Sequence, residues 1–178
     1  DAGNDSLLGE AGNDVLNGGI GIDTLNGGLG NDSLSGGDNG DLLLVNVNEG
    51  VDTVTGGEVG TGNDTLQFGG VTSGNGVTVT YTADEAGTYS FAGGGSGSFT
   101  QIENLTLTSG GDSVNGAAAI SGLNILAGAG NDTLRGGSGS DTLDGGTEND
   151  LLSGGAGNDS ILAGAGDDTL VGGAGGDT

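Results

Sequence analysis

The 178-residue chain contains 46 glycines and no Pro, Cys, His, Met or Trp, and its 25 acidic residues and single basic residue give a formal net charge of −24. Nucleic acids and anionic membranes are bound through clustered Lys and Arg, which this chain lacks, so the composition excludes both as partners. Disulfide bonds need Cys, and zinc sites usually need Cys or His, so the composition excludes these as well. The partner that suits this charge is a cation.

From the start of the chain an aspartate recurs at every ninth position, and an aliphatic residue stands two positions after each one. Glycines keep fixed offsets around both, as in residues 27–35, Gly-Gly-Leu-Gly-Asn-Asp-Ser-Leu-Ser. The aspartates of this first series are Asp5, Asp14, Asp23, Asp32 and Asp41. After residue 44 the repeat loosens, because Asp52 and Asp64 follow at longer intervals, of eleven and twelve positions. These longer intervals predict further coils with enlarged turns.

In the middle of the chain, from Phe68 to Thr108, the repeat gives way to ordinary strand patterning. Val77, Val79 and Tyr81 alternate with threonines, as in a strand that buries one face. All five aromatic residues of the chain lie in this stretch. The pattern predicts an antiparallel insertion of about three strands, which carries its own small apolar cluster on the rest of the fold.

The threonine row of this stretch, Thr78, Thr80 and Thr82, allows two interpretations. It is the polar side of an amphipathic strand, or it resembles the regular threonine rows of ice-binding β-solenoids. A single row of three is short for an ice-binding face, so the first interpretation is preferred.

The nonapeptide repeat resumes in the second half, where Asp112 stands two positions before Val114. The aspartates of the second series are Asp132, Asp141, Asp150, Asp159, Asp168 and Asp177. Both series follow G-G-x-G-x-D-x-U-x, with U a large aliphatic residue. This pattern resembles the calcium-binding nonapeptides of the RTX (repeat-in-toxin) family. The resemblance implies a calcium-folded β-roll in a bacterial protein that a type I system secretes.

The physical role of each repeat position agrees with that expectation. U and its two neighbours form a short strand with U pointing inward, and the glycines turn the chain. Two nonapeptides complete one coil, so stacked coils form two parallel sheets around a thin aliphatic core. The predicted fold class is all-β, a parallel β-roll (β-solenoid) interrupted by a small antiparallel insertion.

Stacking also places every second aspartate of a series in the same column, as with Asp132, Asp150 and Asp168. Carboxylates about 5 Å apart repel each other by roughly 3 kcal/mol at an effective dielectric constant of about 20. A Ca²⁺ ion between successive turns, held by carboxylate and carbonyl oxygens, would remove this repulsion. The predicted metal ligands are therefore the eleven aspartates of the two series. The pattern leaves open whether Asp52, Asp64 and Asp112 bind calcium.

Three segments follow from these patterns. Residues 1–66 form an N-terminal β-roll block whose repeats loosen after residue 44, residues 67–111 form the β-strand insertion, and residues 112–178 form the C-terminal β-roll block.

The residues offer no basis for an enzyme. Without His or Cys, and with Arg135 as the only basic residue, the usual nucleophilic and acid–base constellations cannot be built. We expect no catalytic residue and no cofactor other than several calcium ions.

The predicted function is a calcium-dependent structural segment of a secreted, cell-surface protein such as a surface-layer protein or an adhesin. The alternatives are an accessory or carbohydrate-binding module of a secreted RTX enzyme or toxin, and an ice-binding adhesin segment. Calcium is the expected partner, with self-association or other surface proteins as further partners. No apolar run is long enough to predict membrane insertion, and the charge argues against anionic polysaccharide.

Overall fold

A computed structural model describes residues 2–57, 63–70 and 76–178. Within these ranges the regular elements are eighteen β-strands, numbered here in chain order, and none is a helix. No described segment is a helix long and apolar enough to cross a membrane. The strands form two sheets that face each other.

The first sheet has eight strands, all of them paired in parallel. In spatial order they are β1 (Ser6–Leu8), β3 (Thr24–Asn26), β5 (Leu42–Asn46), β7 (Thr65–Gly69), β11 (Asn104–Thr106), β13 (Asn124–Leu126), β15 (Thr142–Asp144) and β17 (Ser160–Leu162).

The second sheet has ten strands. In spatial order they are β2 (Val15–Ile20), β4 (Ser33–Asp38), β6 (Val51–Thr55), β10 (Ser96–Thr100), β9 (Ala86–Phe91), β8 (Val77–Ala83), β12 (Ser113–Asn115), β14 (Thr133–Arg135), β16 (Leu151–Ala156) and β18 (Thr169–Ala174).

Alternation of inward and outward side chains decides which face of each strand is buried. In β14 the aliphatic Leu134 is buried, whereas Thr133 and Arg135 on either side of it are exposed. Leu134 pairs with Leu152 of β16, two repeats later, so the same repeat position stacks on itself in successive coils. Full burial of one leucine contributes about 1.5–3 kcal/mol. The parallel β-roll, with about eight turns, is confirmed, and each regular turn contains two repeats.

The loosened repeats after residue 44 keep their place in the stack. Ser33 of β4 pairs with Thr53 of β6, and Leu42 of β5 pairs with Thr65 of β7, so each of these coils is longer than two nonapeptides. In the first of these coils the extra residues lie in the turn between β5 and β6, because the paired strands themselves stay in register. The enlarged turn predicted between Asp52 and Asp64 includes residues 58–62, which lie outside the described residues.

The antiparallel part of the fold consists of β8, β9 and β10 in the ten-stranded sheet. β9 pairs antiparallel with both neighbours, while β10 pairs parallel with β6 and β8 pairs parallel with β12. The antiparallel insertion predicted from the sequence is therefore confirmed. Its three strands occupy the place in the sheet that a single strand takes in the other coils.

The expectation that this insertion carries a separate apolar cluster is wrong. The aromatic side chains belong to the same core as the aliphatic residues of the roll. Phe68 of β7 lies in the opposite sheet, and its ring contacts those of Tyr89 and Phe91 edge to face, with centroid distances of 5.2 and 5.8 Å. Because the inserted strands join the sheet, their inward side chains extend the existing core.

Candidate metal centre

The eleven predicted ligands lie in two columns, each just before the strands of one sheet. The first column contains Asp5, Asp23, Asp41, Asp141, Asp159 and Asp177 from the predicted set, and the second contains Asp14, Asp32, Asp132, Asp150 and Asp168. Most of these side chains point into the roll and are buried. Asp23 has no exposed surface, and Asp132 and Asp141 are each 1% exposed.

In each column, every aspartate after the first uses one carboxylate oxygen to bind the backbone of the preceding coil. Oδ1 of Asp41 accepts a hydrogen bond of 2.7 Å from the N–H of Asp23, and Oδ1 of Asp159 accepts one of 2.9 Å from the N–H of Asp141. The same bond recurs along both columns. It fixes the orientation of each carboxylate and satisfies a backbone donor that would otherwise be buried without a partner.

The other oxygen, Oδ2, is buried and has no hydrogen-bond partner in a series of these residues. The series, taken from the described residues, is Asp14, Asp23, Asp32, Asp41, Asp132, Asp150 and Asp159. An unsatisfied buried acceptor costs about 1–3 kcal/mol, and more when it is charged. A repeated cost of this size at equivalent positions points to a ligand that these oxygens bind.

Backbone carbonyl oxygens converge on the same places. A Cβ atom built onto Gly145 would lie 2.5 Å from Oδ2 of Asp150 and 2.6 Å from the carbonyl oxygen of Ala163 in the next coil. The equivalent position at Gly36 is bordered by Oδ2 of Asp41 and the carbonyl oxygen of Gly56. Each gap therefore lies between a carboxylate oxygen and a carbonyl oxygen of adjacent coils, and only glycine leaves it open.

This donor set fits Ca²⁺, which accepts six to eight oxygen ligands from carboxylates, carbonyls and water in irregular geometry. No three acidic side chains of the described residues converge on one point. The remaining ligands of any ion here would therefore be backbone carbonyls and water. A bound calcium ion would supply positive charge that neutralises the buried carboxylates.

Comparison with known families agrees with the geometry. The sequence model of the RTX calcium-binding nonapeptide repeat matches the chain four times, at residues 1–25, 17–46, 124–152 and 144–178. The chain belongs to the RTX family. No curated protein matches it. The four matches leave out the loosened coils and the antiparallel strands, where the RTX repeat is interrupted.

Burial changes the acid–base behaviour of the RTX aspartates. Burial raises the pKa of Asp132 to about 7, the nearby charges of Asp112, Asp150 and Glu148 add to the rise, and a backbone hydrogen bond opposes it. Burial also raises the pKa of Asp41 and of Asp150. In the absence of a cation, a proton is therefore the alternative means of neutralising these groups.

Three aspartates at column positions differ from the RTX pattern, because Oδ2 has a partner within the protein. The Tyr89 hydroxyl donates a hydrogen bond of 3.2 Å to Oδ2 of Asp52. The N–H of Thr108 donates one of 2.8 Å to Oδ2 of Asp112. The N–H of Gly137 donates one of 2.9 Å to Oδ2 of Asp141, a residue of the predicted ligand set. Nothing in the repeat pattern indicates the first two contacts, since Tyr89 and Thr108 lie outside it.

The first column also contains Asp64, whose role the sequence left open, and Glu103, which was not among the predicted ligands. Asp64 continues it, since its Oδ1 accepts a hydrogen bond of 2.7 Å from the N–H of Asp41. Glu103 takes the next position, where its Oε2 accepts one of 2.7 Å from the N–H of Asp64. Glu103 stands two positions before Leu105, as each repeat aspartate stands before its aliphatic residue. This spacing was the signal in the sequence that could have identified Glu103 as a column member. Leu123 follows and interrupts the column, because its side chain has no oxygen to offer.

Proposed function

We propose that this chain is a calcium-dependent structural segment of a secreted bacterial protein, and that it folds on export into millimolar calcium. The observation that supports this most directly is the row of buried Oδ2 atoms without partners beside carbonyl oxygens of the next coil. Without a cation, these groups oppose the stacking that the leucine core favours. With a bound cation, the carboxylates and the leucine core both favour stacking of the coils.

The size of the expected effect is large enough to control folding. A site at ten times its Kd adds about 1.4 kcal/mol to the free energy of unfolding, so six such sites would add about 8 kcal/mol. That is comparable with the whole stability of a small domain, about 5–15 kcal/mol. At the submicromolar calcium of a bacterial cytosol the RTX repeats would stay unfolded, which keeps them competent for type I export.

The proposal gives this segment a scaffold role and no catalysis of its own. Its parent would be a surface-layer protein, an adhesin or another long extracellular protein. The rival proposal is an accessory or carbohydrate-binding module attached to a secreted enzyme or toxin. The charge favours the scaffold, because a module that reads anionic polysaccharide needs a basic groove and Arg135 is the only basic residue.

Circular dichroism of the chain in EGTA and in millimolar calcium tests the proposal. We expect a strong increase in β-sheet signal on calcium addition and a smaller hydrodynamic radius. Sodium chloride at equal ionic strength is the control, because it screens charge without occupying sites. The same spectrum and radius in EGTA and in calcium would refute the proposal.

A second candidate function, ice binding, is favoured by the outer face of the ten-stranded sheet. The strand register extends the predicted threonine row across neighbouring strands, as Thr53, Ser98, Thr88 and Thr80 pair in sequence from β6 to β8. In the described strands β6, β8, β9, β10 and β12, no outward-facing side chain is charged. The face therefore presents regularly spaced hydroxyl groups on a protein of charge −24.

A neutral, repetitive face of this kind suits the surface of ice better than a sugar chain. Sugar rings are usually bound by stacking on exposed aromatic rings, and all five aromatic side chains here are buried. We expect the calcium-loaded chain to slow ice recrystallisation, and the Thr88→Lys variant to lose this activity. Thr142→Lys, on the outer face of the other sheet, is the matched control. Equal activity of both variants, or none in the parent chain, would exclude ice binding by this face.

A further inference from the structure

The second column contains two aspartates whose carboxylates are completely satisfied by the protein. Asp52 receives the N–H of Asp32 at Oδ1, 3.0 Å away, and the Tyr89 hydroxyl at Oδ2, 3.2 Å away. One coil earlier, Asp32 accepts only the equivalent backbone bond at Oδ1, and its Oδ2 is buried without a partner. The two aspartates occupy the same repeat position and differ in the contact with Tyr89.

The strand register explains how Tyr89 reaches this carboxylate. Gly97 of β10 lies between the two residues, paired with Asp52 of β6 on one side and with Tyr89 of β9 on the other. A Cβ atom at Gly97 would collide with the hydroxyl oxygen and Cζ of Tyr89. Glycine at this position therefore leaves the space through which the phenol crosses an intervening strand.

Asp112 is satisfied in a similar way on the other side of the inserted strands. Its Oδ1 accepts hydrogen bonds from the N–H of Val77 at 2.6 Å and from the Thr108 hydroxyl at 2.8 Å. Its Oδ2 accepts the N–H of Thr108 at 2.8 Å. Asp132, one coil later, has no partner at Oδ2. Thr108 thus donates a hydrogen bond to Oδ2 of Asp112, whereas no residue of the described chain donates one to Oδ2 of Asp132.

The strands between Asp52 and Asp112 have a core of a different kind from the repeats. Tyr81 and Phe99 pack edge to face with centroids 5.2 Å apart, and Tyr89 and Phe91 do so at 5.9 Å. Aromatic pairs of this kind contribute about 0.5–1.5 kcal/mol beyond the area they bury. No carboxylate interrupts the inward faces of β8, β9 and β10, whose positions are described throughout.

We propose that Tyr89 and Thr108 take the place of calcium at Asp52 and Asp112, so that the inserted strands β8–β10 and their neighbours fold without calcium. This calcium-independent centre would then serve as the template on which the two blocks of RTX repeats assemble when calcium binds. The inference rests on the proposed calcium-dependent folding of those blocks. It adds that the chain has two kinds of part, a centre that folds without calcium and repeats that need the ion.

Hydrogen exchange of the full chain, read by mass spectrometry in EGTA and in millimolar calcium, tests this division. In EGTA we expect protected amides in residues 77–107 and unprotected amides in residues 14–41 and 132–168. Calcium should protect all three regions. Exchange of residues 77–107 in EGTA as fast as in the repeats would overturn the inference while leaving calcium-coupled folding intact. Protection of the repeats in EGTA would instead refute the proposed function, and the division with it.

Removal of the tyrosine hydroxyl is the sharper test. Tyr89→Phe leaves Oδ2 of Asp52 buried without a partner, so we expect protection of residues 77–107 in EGTA to fall by about fivefold to a hundredfold. Calcium should restore it, because Asp52 then resembles the repeat aspartates. The matched control is Tyr81→Phe, since Tyr81 is also 3% exposed but its hydroxyl has no hydrogen-bond partner. Equal effects of the two variants, or a loss that calcium does not restore, would show that Tyr89 does not stand in for the ion.

Discussion

The backbone N–H of Asp132 donates a hydrogen bond of 2.8 Å to Oδ1 of Asp150, one coil further along the roll. Because of this bond, the two oxygens of the Asp150 carboxylate have different roles. Oδ1 orders the backbone of the neighbouring coil, and Oδ2 is buried without a partner and is the atom available to an ion. An asparagine at this position would keep an acceptor for the backbone bond but would lose the negative charge.

Replacement of Asp150 by Asn therefore isolates the ion-binding role. Because Asp150 lies between Asp132 and Asp168 in its column, its loss should weaken the sites on both sides. We expect the calcium midpoint of folding, measured by circular dichroism, to rise severalfold. In a chain of these 178 residues, Asp177→Asn should shift it less, because Asp177 is bonded there to one column neighbour, Asp159. Equal shifts would argue against ion sites shared between adjacent coils.

The same titration can be applied to Asp52, which the Tyr89 hydroxyl satisfies. We expect Asp52→Asn to leave the calcium midpoint within about twofold of that of the parent chain, because no ion is lost. A shift as large as that of Asp150→Asn would show that Asp52 binds calcium despite its contact with the tyrosine.

The repeats made the fold and the two columns predictable, whereas the contacts that satisfy Asp52 and Asp112 in the middle of the second column were not. A strict period of nine places each aliphatic residue on its equivalent two repeats later, so the register of Leu134 on Leu152 follows from spacing alone. The contact between Tyr89 and Asp52 depends instead on an antiparallel register that places Gly97 between them. No local pattern specifies that register, because it is set by how the inserted aromatic strands pack against the opposite sheet.

A calcium-free chain should be stabilised by acid. The pKa of Asp132 is about 7 in the fold, compared with 3.8 for an ordinary aspartate, so the folded chain holds the proton more tightly than the unfolded chain. The resulting stability is fully present below about pH 4 and is lost as the pH rises through 7. Because the calcium-free repeats are expected to be unfolded near neutral pH, we expect the β-sheet signal in EGTA to be stronger at pH 5 than at pH 8.

Asp132→Asn is the control for this pH dependence, because it removes the titrating group and should reduce the difference between the two pH values. In saturating calcium the direction should reverse, since protons compete with the ion for the same carboxylates. A β-sheet signal in EGTA that grows stronger from pH 5 to pH 8 would contradict the burial-raised pKa of these groups.

The gap beside Gly36 can be filled directly. Gly36→Ala would place a methyl group against Oδ2 of Asp41 and the carbonyl oxygen of Gly56, and the backbone at Gly36 does not need a positive φ. Overpacking of this kind costs about 1–3 kcal/mol, so we expect a rise of about fivefold to a hundredfold in the calcium midpoint. Gly111→Ala is the matched control, because its methyl group would meet the Asn131 carbonyl oxygen at 3.0 Å but no repeat carboxylate. If both variants shift the midpoint equally, the gap at Gly36 is a packing feature and not an ion site.

Magnesium should not replace calcium in this fold. The gaps offer a carboxylate oxygen and a carbonyl oxygen from adjacent coils, with no three acidic side chains together in the described residues, so any ion must accept an irregular shell completed by backbone and water. Ca²⁺ tolerates such a shell, whereas Mg²⁺ requires near-octahedral geometry and gives up its water reluctantly. At equal millimolar concentrations we expect calcium to produce the full β-sheet signal and magnesium to leave the RTX repeats unprotected in hydrogen exchange, as in EGTA. Magnesium that folds the repeats at the same midpoint as calcium would mean that simple neutralisation of the −24 charge drives folding, and that the oxygen-lined gaps between coils do not select the ion.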